Sequence, residues 1–83
     1  MPRILIADDH QWVAHLRDSY LDEQGFETKL VYNGEDAIAA ARDWKPDLVL
    51  LDVMMPKLSG FEVCRRLRAE PATKDVSVLM VTA

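Results

Sequence analysis

The sequence predicts an α/β domain in which a parallel β-sheet carries helices on both faces. Three short apolar runs, broken by at most one polar residue, are typical of strands inside a parallel sheet. Amphipathic stretches long enough for helices separate the strands, which gives the order β-α-β-α-β-α-β. Strands that alternate with helices are joined by right-handed crossovers, and this connection makes neighbouring strands parallel.

The predicted strands stop at polar residues. Residues 4–7 form an apolar run that ends at two aspartates, and residues 48–51 form a second run that ends at Asp52. Residues 76–81 are apolar apart from one serine. Residues 27–32 give a weaker signal, with β-branched and aromatic side chains. Continuous apolar runs suit strands buried on both faces of the sheet, but the last run, residues 76–81, is expected to have an unprotected side because no helix follows it.

The first linking stretch has the periodicity of an amphipathic helix. Trp12, Leu16 and Tyr20 recur every four residues, and Val13 and Leu21 widen the same face. Apolar residues at this spacing form one stripe along a helix. We therefore expect this stripe, including the tryptophan, to pack against the sheet.

Capping residues mark the helix boundaries. Gly25 predicts the end of the first helix, and Asn33 predicts the start of the second. Ser59 and Glu62 have the spacing of a capping box, so the third helix is expected to begin there. Pro71 predicts the end of that helix.

The composition fits one small globular domain over residues 1–83 and excludes several protein classes. Apolar residues make up 49% and charged residues 29%, which argues against a disordered chain, a collagen-like repeat or a disulfide scaffold. The net charge is −4 and the pI about 5.0, so we expect no nucleic-acid binding by this domain. No apolar run approaches a membrane span, and the single Cys64 favours a reducing cytoplasm.

Three aspartates follow predicted strands. Asp8 and Asp9 follow the first strand, and Asp52 ends the third. In doubly wound sheets, ligand sites form beyond the carboxyl ends of strands where the chain order reverses. With the strand order 2-1-3-4, strands one and three are neighbours and the three carboxylates converge in one pocket. Aspartates after strands also cap helices or begin turns, and this alternative stays open for each of them.

Carboxylates that converge in this way need a proton or a cation between them. Mg²⁺ is a hard cation that binds carboxylate, water and phosphate oxygens. The pattern therefore predicts a magnesium-assisted phosphoryl-transfer site, in which Asp52 can itself accept a phosphoryl group. Thr82, at the end of the next strand, is placed to offer its hydroxyl to a phosphate oxygen.

Four segments are specific in combination: ILIADDH at residues 4–10, PDLVLLDVMMP at 46–56, Ser59-Gly60, and VLMVTA at 78–83. Together they resemble the receiver domain of bacterial two-component response regulators. The resemblance covers the whole chain and implies a flavodoxin-like (CheY-like) sheet in the order 2-1-3-4. It also implies a domain truncated after its fourth strand, without the last helix-strand-helix of that fold.

The resemblance implies a role for each matching residue. Asp52 matches the aspartate that accepts a phosphoryl group from a histidine kinase. Asp9 matches the acid that binds Mg²⁺ directly, and Asp8 matches its partner, which usually acts through water. The backbone carbonyl of Met54 matches the third protein oxygen on the metal, and Thr82 matches the switch hydroxyl.

Some family positions are matched and others are missing. Ala83 matches the small residue that leaves room for the phosphate, and Pro56 and Gly60 match the loop that shapes the pocket. The lysine and the switch aromatic of the family's fifth strand have no counterpart here. Lys57 and Lys74 do not correspond to that lysine, because they differ from it in sequence order and in position.

The resemblance implies a cytoplasmic phosphoacceptor domain of a two-component phosphorelay, with Mg²⁺ as its cofactor. The expected partner is a sensor histidine kinase or a phosphotransfer protein, and no membrane contact is expected. We do not expect an enzyme beyond the domain's own phosphorylation and dephosphorylation. His10 is interpreted as a solvent-facing residue at the start of the first helix, with a place at the border of the pocket as the alternative.

Other hypotheses remain. An unpaired apolar edge at residues 76–81 favours self-association, so the chain is alternatively a truncated receiver that acts as an interaction module without switching. A magnesium-dependent phosphohydrolase usually has a second acid two residues after its nucleophile, where Met54 stands here. The truncation fits a fragment of a longer regulator, a deliberately shortened chain or a natural short protein.

Overall fold

Residues 2–81, which the computed structural model describes, form a four-stranded parallel sheet and three helices. The strands are β1 (Arg3–Ala7), β2 (Glu27–Val31), β3 (Leu48–Asp52) and β4 (Ser77–Val81). The helices are α1 (Gln11–Glu23), α2 (Gly34–Trp44) and α3 (Gly60–Ala69). Their alternation confirms the predicted α/β class. Within this part of the chain, no helix is both long and apolar enough to cross a membrane.

The strands follow the order β2-β1-β3-β4, which confirms the predicted topology. β1 lies between β2 and β3, and Ala7 is aligned with Val31 on one side and Leu51 on the other. β4 pairs with the outer side of β3, where Asp52 is aligned with Val81. Because all four strands are parallel, their carboxyl ends meet at one edge of the sheet.

The main hydrophobic core lies between the sheet and the helices α2 and α3. Leu5, Val49 and Leu51 of the strands are fully buried and meet Val63 and Leu67 of α3. Helix α2 adds small buried side chains, which let its backbone approach the sheet: Ala37, Ala40 and Ala41. This core holds β1 and β3 rigidly side by side.

Side-chain caps begin α2 and α3 where the sequence predicts. Asn33 Oδ1 accepts a hydrogen bond from Asp36 N at 2.8 Å, and Ser59 Oγ accepts one from Glu62 N at 3.3 Å. Hydrogen bonds from two arginines on the following turn lower the pKa of the Glu62 carboxyl to about 2. Helix α1 ends just before Gly25, whose φ of 91° suits a glycine after a helix.

The predicted packing of α1 is wrong for its large side chains. Trp12, Leu16 and Tyr20 are 75%, 53% and 64% exposed. The helix contacts β1 and β2 through a neighbouring stripe centred on Ala14, which is fully buried. Periodicity shows which residues share a stripe, but it does not show which stripe meets the sheet. Here the small alanine allows the closest approach of helix and strands.

Residues 76–81 are only partly buried, in line with the expectation of an unprotected side for this strand. Val76 and Val78 pack against the core, whereas Ser77 is exposed and Leu79 is 53% exposed. β4 is an edge strand of the sheet formed by residues 2–81, so one of its hydrogen-bonding sides is unpaired there, and the exposed Ser77 and Leu79 lie on the sheet face opposite the core.

The turn from β3 into α3 depends on a close approach at Gly60. Gly60 N donates a hydrogen bond to Val53 O at 3.0 Å. A Cβ atom at this position would collide with the carbonyl oxygen of Asp52, which is backbone and cannot rotate away. Gly34 occupies the same first position of α2, and a Cβ there would also be crowded, but by side-chain atoms rather than backbone: Val63 Cγ2 at 2.8 Å and Leu58 Cβ and Cδ2 at 2.9 Å.

We predict that Gly60→Ala lowers the free energy of unfolding by roughly 1–3 kcal/mol, because the backbone after β3 must shift. Gly34→Ala is the matched control, since both residues begin a helix and both substitutions gain the same intrinsic helix propensity. Urea unfolding followed by circular dichroism measures both losses. A loss for Gly60→Ala that is no larger than the loss for Gly34→Ala would contradict the prediction.

Candidate functional site

The carboxyl edge of the sheet brings three aspartates together. Ala7 at the end of β1 is aligned with Leu51 of β3, so Asp8 and Asp52 follow on neighbouring strands. One carboxylate oxygen from each of Asp8, Asp9 and Asp52, together with a ring nitrogen of His10, lies within 4.8 Å of the others. The arrangement expected from the strand order is therefore present.

Asp52 is buried with half of its carboxylate unpaired. Its side chain ends β3 and the residue is 2% exposed. Oδ1 accepts a hydrogen bond from Met54 N at 3.2 Å, which fixes the plane of the group. Oδ2 is buried and has no hydrogen-bond partner among residues 2–81. Buried carboxylate oxygens normally have a hydrogen-bond partner, so this oxygen is a candidate for binding a ligand.

Asp8 is equally buried but is fully engaged. Its Oδ1 accepts a hydrogen bond from His10 N at 2.9 Å and lies 3.3 Å from His10 Nδ1. Its Oδ2 accepts a hydrogen bond from Arg17 Nη1 at 2.9 Å. Asp8 thus begins the turn into α1, as the structural alternative for these aspartates predicts, and also contributes charge to the cluster.

Asp9 faces the cluster from the rim. Its side chain is 26% exposed, yet Oδ1 is buried and has no hydrogen-bond partner in the described part of the chain. His10 Nδ1 lies 3.1 Å from this oxygen. Asp9 therefore offers a second unsatisfied oxygen beside that of Asp52.

The donor set fits a divalent cation. Like-charged carboxylates at this range destabilise one another, and a cation between them removes the repulsion. The two unsatisfied oxygens, on Asp9 and Asp52, are the ligand type that hard divalent ions prefer. The carboxylates therefore have the composition and spacing of a cation site.

The other site residues predicted from the sequence either flank this cluster or lie outside residues 2–81. Met54 lies two residues after the end of β3 and is 71% exposed, Pro56 belongs to the connection from β3 to α3, and Gly60 begins α3. Thr82 and Ala83 lie outside the described residues, so the expected switch hydroxyl stays a prediction.

The sequence did not indicate the contact of Arg17 with Asp8, and it gave only weak evidence that His10 contacts the cluster. Arg17 lies nine residues beyond Asp8 and is brought to it by the first turns of α1, which no motif signals. Both interpretations of His10 hold. It is the N-cap residue of α1 with a side chain 59% exposed, and it also borders the carboxylate cluster.

Comparison with known proteins gives one consistent family. The family of the response regulator receiver domain matches residues 4–83. The DNA-binding dual master transcriptional regulator RpaA of Synechocystis is 43% identical over 83 residues, and the DNA-binding response regulator MtrA of Mycolicibacterium smegmatis is 42% identical over 81 residues. The chain spans about a third of the length of these relatives, since it covers 34% of each.

Solved structures agree with this match. The N-terminal domain of a response regulator receiver protein from Methanoculleus marisnigri has a TM-score of 0.95 at 37% identity, covering 98% of this chain and 66% of that one. The receiver domain of Francisella response regulator 1452 has a TM-score of 0.91 at 26% identity, covering 100% of this chain and 67% of that one.

The cluster predicts opposite effects for two neighbouring substitutions. In the absence of divalent ions, we expect Asp9→Asn to stabilise the fold by about 1 kcal/mol, because it removes one of the repelling charges. Asp8→Asn serves as the control and is expected to destabilise the fold, since it breaks the pair with Arg17. Thermal unfolding in a chelating buffer measures both. A lower melting temperature for Asp9→Asn would show that repulsion is not the dominant interaction.

Proposed function

This chain belongs to the receiver domain family of response regulators, and we propose that it is a phosphoacceptor signalling domain with Asp52 as the acceptor. The observation that carries the proposal is the buried Asp52 carboxylate, one oxygen of which has no hydrogen-bond partner among residues 2–81 and lies beside two further acids. Burying an anion without a hydrogen-bond partner lowers the stability of the fold. A role as phosphoryl acceptor would account for such a group at this position.

The arrangement of Asp52 suits nucleophilic attack on phosphorus. Met54 N holds Oδ1 and thereby orients the carboxylate, while Oδ2 keeps its lone pairs uncommitted. In the proposed transfer, an Asp52 oxygen attacks the phosphorus of a phosphohistidine and forms the O–P bond. The P–N bond breaks, and its electron pair stays on the donor imidazole.

Asp9 and Asp52 would hold Mg²⁺ directly, with the backbone carbonyl of Met54 as the third protein oxygen in the proposal, and Asp8 would act through water because both of its carboxylate oxygens already accept hydrogen bonds. When bound, Mg²⁺ supplies charge neutralisation for the carboxylates and for the phosphoryl oxygens. Arg17 keeps Asp8 in place through the hydrogen bond at 2.9 Å. The cluster is thereby arranged before any donor arrives, which lowers the reorganisation needed for transfer.

The rest of the proposal concerns partners and response. The donor is a histidine kinase or a phosphotransfer protein in the cytoplasm, and the domain acts as a signalling protein rather than an enzyme. Thr82 is proposed to turn its hydroxyl towards the phosphoryl group, as in switches ordered by a new dianion.

We predict that a small phosphodonor adds one phosphoryl group to this chain in a magnesium-dependent way. Asp52→Asn is expected to abolish the adduct, because the amide is not a nucleophile of this kind. Intact mass spectrometry of both proteins, with and without Mg²⁺, measures the result.

Asp43→Asn is the matched control for this experiment. Asp43 is an exposed aspartate near the C-terminal end of α2, away from the carboxyl edge, and its replacement is expected to leave the adduct unchanged. A folded parent chain that gains no adduct, or an adduct that persists in Asp52→Asn, would contradict the proposal.

A second candidate function is an interaction module that associates with itself. The observation in its favour is the exposure of large apolar side chains on α1 and on the edge strand: Trp12, Leu16, Tyr20 and Leu79. Monomeric proteins rarely leave side chains of this size clustered in water, and an edge strand pairs readily with another chain.

We predict that this 83-residue chain forms dimers or larger species at micromolar concentration. Trp12→Ala and Leu79→Lys are expected to weaken the association, since each removes apolar surface from this face. Phe61→Ala on α3 is the control, because Phe61 is 65% exposed on the other side of the sheet. Sedimentation velocity distinguishes the species, and a monomeric parent chain would overturn this second candidate.

A further inference from the structure

We propose that His10 is a protein ligand of the cation site, and that the site therefore favours a divalent transition ion such as Co²⁺ or Ni²⁺ over Mg²⁺. The proposal rests on the metal-holding part of the function proposed above, for Asp8, Asp9 and Asp52, and is independent of phosphoryl transfer. Its subject is the nitrogen donor beside the three acids.

The spacing of His10 is that of a ligand atom. Its Nδ1 lies 3.1 Å from Asp9 Oδ1 and 3.3 Å from Asp8 Oδ1. Neighbouring ligands of an octahedral ion with bonds of about 2.1 Å are separated by roughly 3 Å. Nδ1 and Asp9 Oδ1 are thus spaced like neighbouring corners of one coordination shell, whereas Asp8 Oδ1 already has hydrogen-bond contacts with His10 N and Nδ1.

The contact with Asp9 is not a hydrogen bond. Asp9 Oδ1 has no hydrogen-bond partner among residues 2–81, although His10 Nδ1 is only 3.1 Å away. We infer that a bound ion would contact both His10 Nδ1 and Asp9 Oδ1, replacing the 3.3 Å hydrogen-bond contact of Nδ1 with Asp8 Oδ1. Oδ2 of Asp52, which is buried and has no hydrogen-bond partner within residues 2–81, is a further ligand atom for the same ion, from the floor of the site.

The backbone presents the imidazole to the site. His10 N donates to Asp8 Oδ1 at 2.9 Å, and His10 O accepts the first hydrogen bond of α1 from Ala14 N at 2.9 Å. The side chain makes no capping hydrogen bond to α1, and its Nδ1 instead lies in hydrogen-bond contact with Asp8 Oδ1 inside the cluster. With 59% of the side chain exposed, the site is open to an ion and its waters.

Donor chemistry then decides the preferred ion. Mg²⁺ binds almost entirely through oxygen, and an imidazole adds little to its affinity. Co²⁺, Ni²⁺ and Zn²⁺ accept mixed nitrogen and oxygen ligands, and their affinity for such sites exceeds that of harder ions. His10 therefore adds affinity for the transition ions while leaving the affinity for Mg²⁺ nearly unchanged.

The test compares metal affinities in three forms of the chain: the parent, His10→Gln and His15→Gln. Titration calorimetry with Co²⁺, and separately with Mg²⁺, is performed at the same slightly alkaline pH for all three forms. We expect His10→Gln to weaken Co²⁺ binding by roughly tenfold or more and Mg²⁺ binding by less than about twofold. His15, on the same helix and exposed, is the matched control and is expected to change neither affinity.

A spectroscopic measurement separates ligation from a structural role. Zn²⁺ is diamagnetic, and on binding it should shift the ring ¹⁵N resonance of His10 Nδ1 but not those of His15. Equal losses of Co²⁺ and Mg²⁺ affinity in His10→Gln, no loss of Co²⁺ affinity, or an unshifted His10 ring would each overturn the proposal. Asp52→Asn that binds both ions as tightly as the parent would instead overturn the metal-holding role of the acids.

Discussion

Parallel pairing of β1 with β3 sets the whole carboxyl edge, because it places the end of one strand beside the end of the other. The alignment of Ala7 with Leu51 puts Asp52 next to the Asp8–Asp9 pair. A slip of one residue in this pairing would turn the Asp52 side chain to the opposite face of the sheet and remove its carboxylate from the cluster. Burial of both strands against α2 and α3 makes such a slip expensive.

The two faces of the sheet contribute differently to this arrangement. The face that carries α2 and α3 contains the continuous core, from Leu5 through Val49 to Leu67, and supplies the rigidity. The face that carries α1 is only partly covered, with large apolar side chains exposed on the helix and at Leu79. The acids sit where the rigid strands end, so their positions depend on the well-packed face.

Much of the fold could be predicted from the sequence because several independent signals agreed. Apolar runs located the strands, and Asn33 and Ser59 located two helix starts, since each signal has a local physical cause. The orientation of α1 was predicted wrongly because Trp12 follows a helical period whether or not a neighbouring layer covers it. Exposure depends on the packing partner, which a local pattern does not contain.

The site was predictable to a similar degree. The convergence of the acids follows from strand ends and strand order, which the sequence marks. The pairing of Arg17 with Asp8 depends on the exact direction of a helix relative to a strand, and no residue spacing encodes that direction. His10 adjoins the acid pair in the sequence, but only the backbone turn aims its ring at them.

The ion pair between Arg17 and Asp8 has a consequence for electroneutrality. Three carboxylates and one guanidinium leave two net negative charges in the cluster, which one divalent ion balances. A phosphoryl group on Asp52 would then leave the pocket anionic again, with Arg17 already committed to Asp8. Raising the ionic strength screens this excess charge. Added salt should therefore raise the free energy of unfolding of the phosphorylated form more than that of the unmodified form.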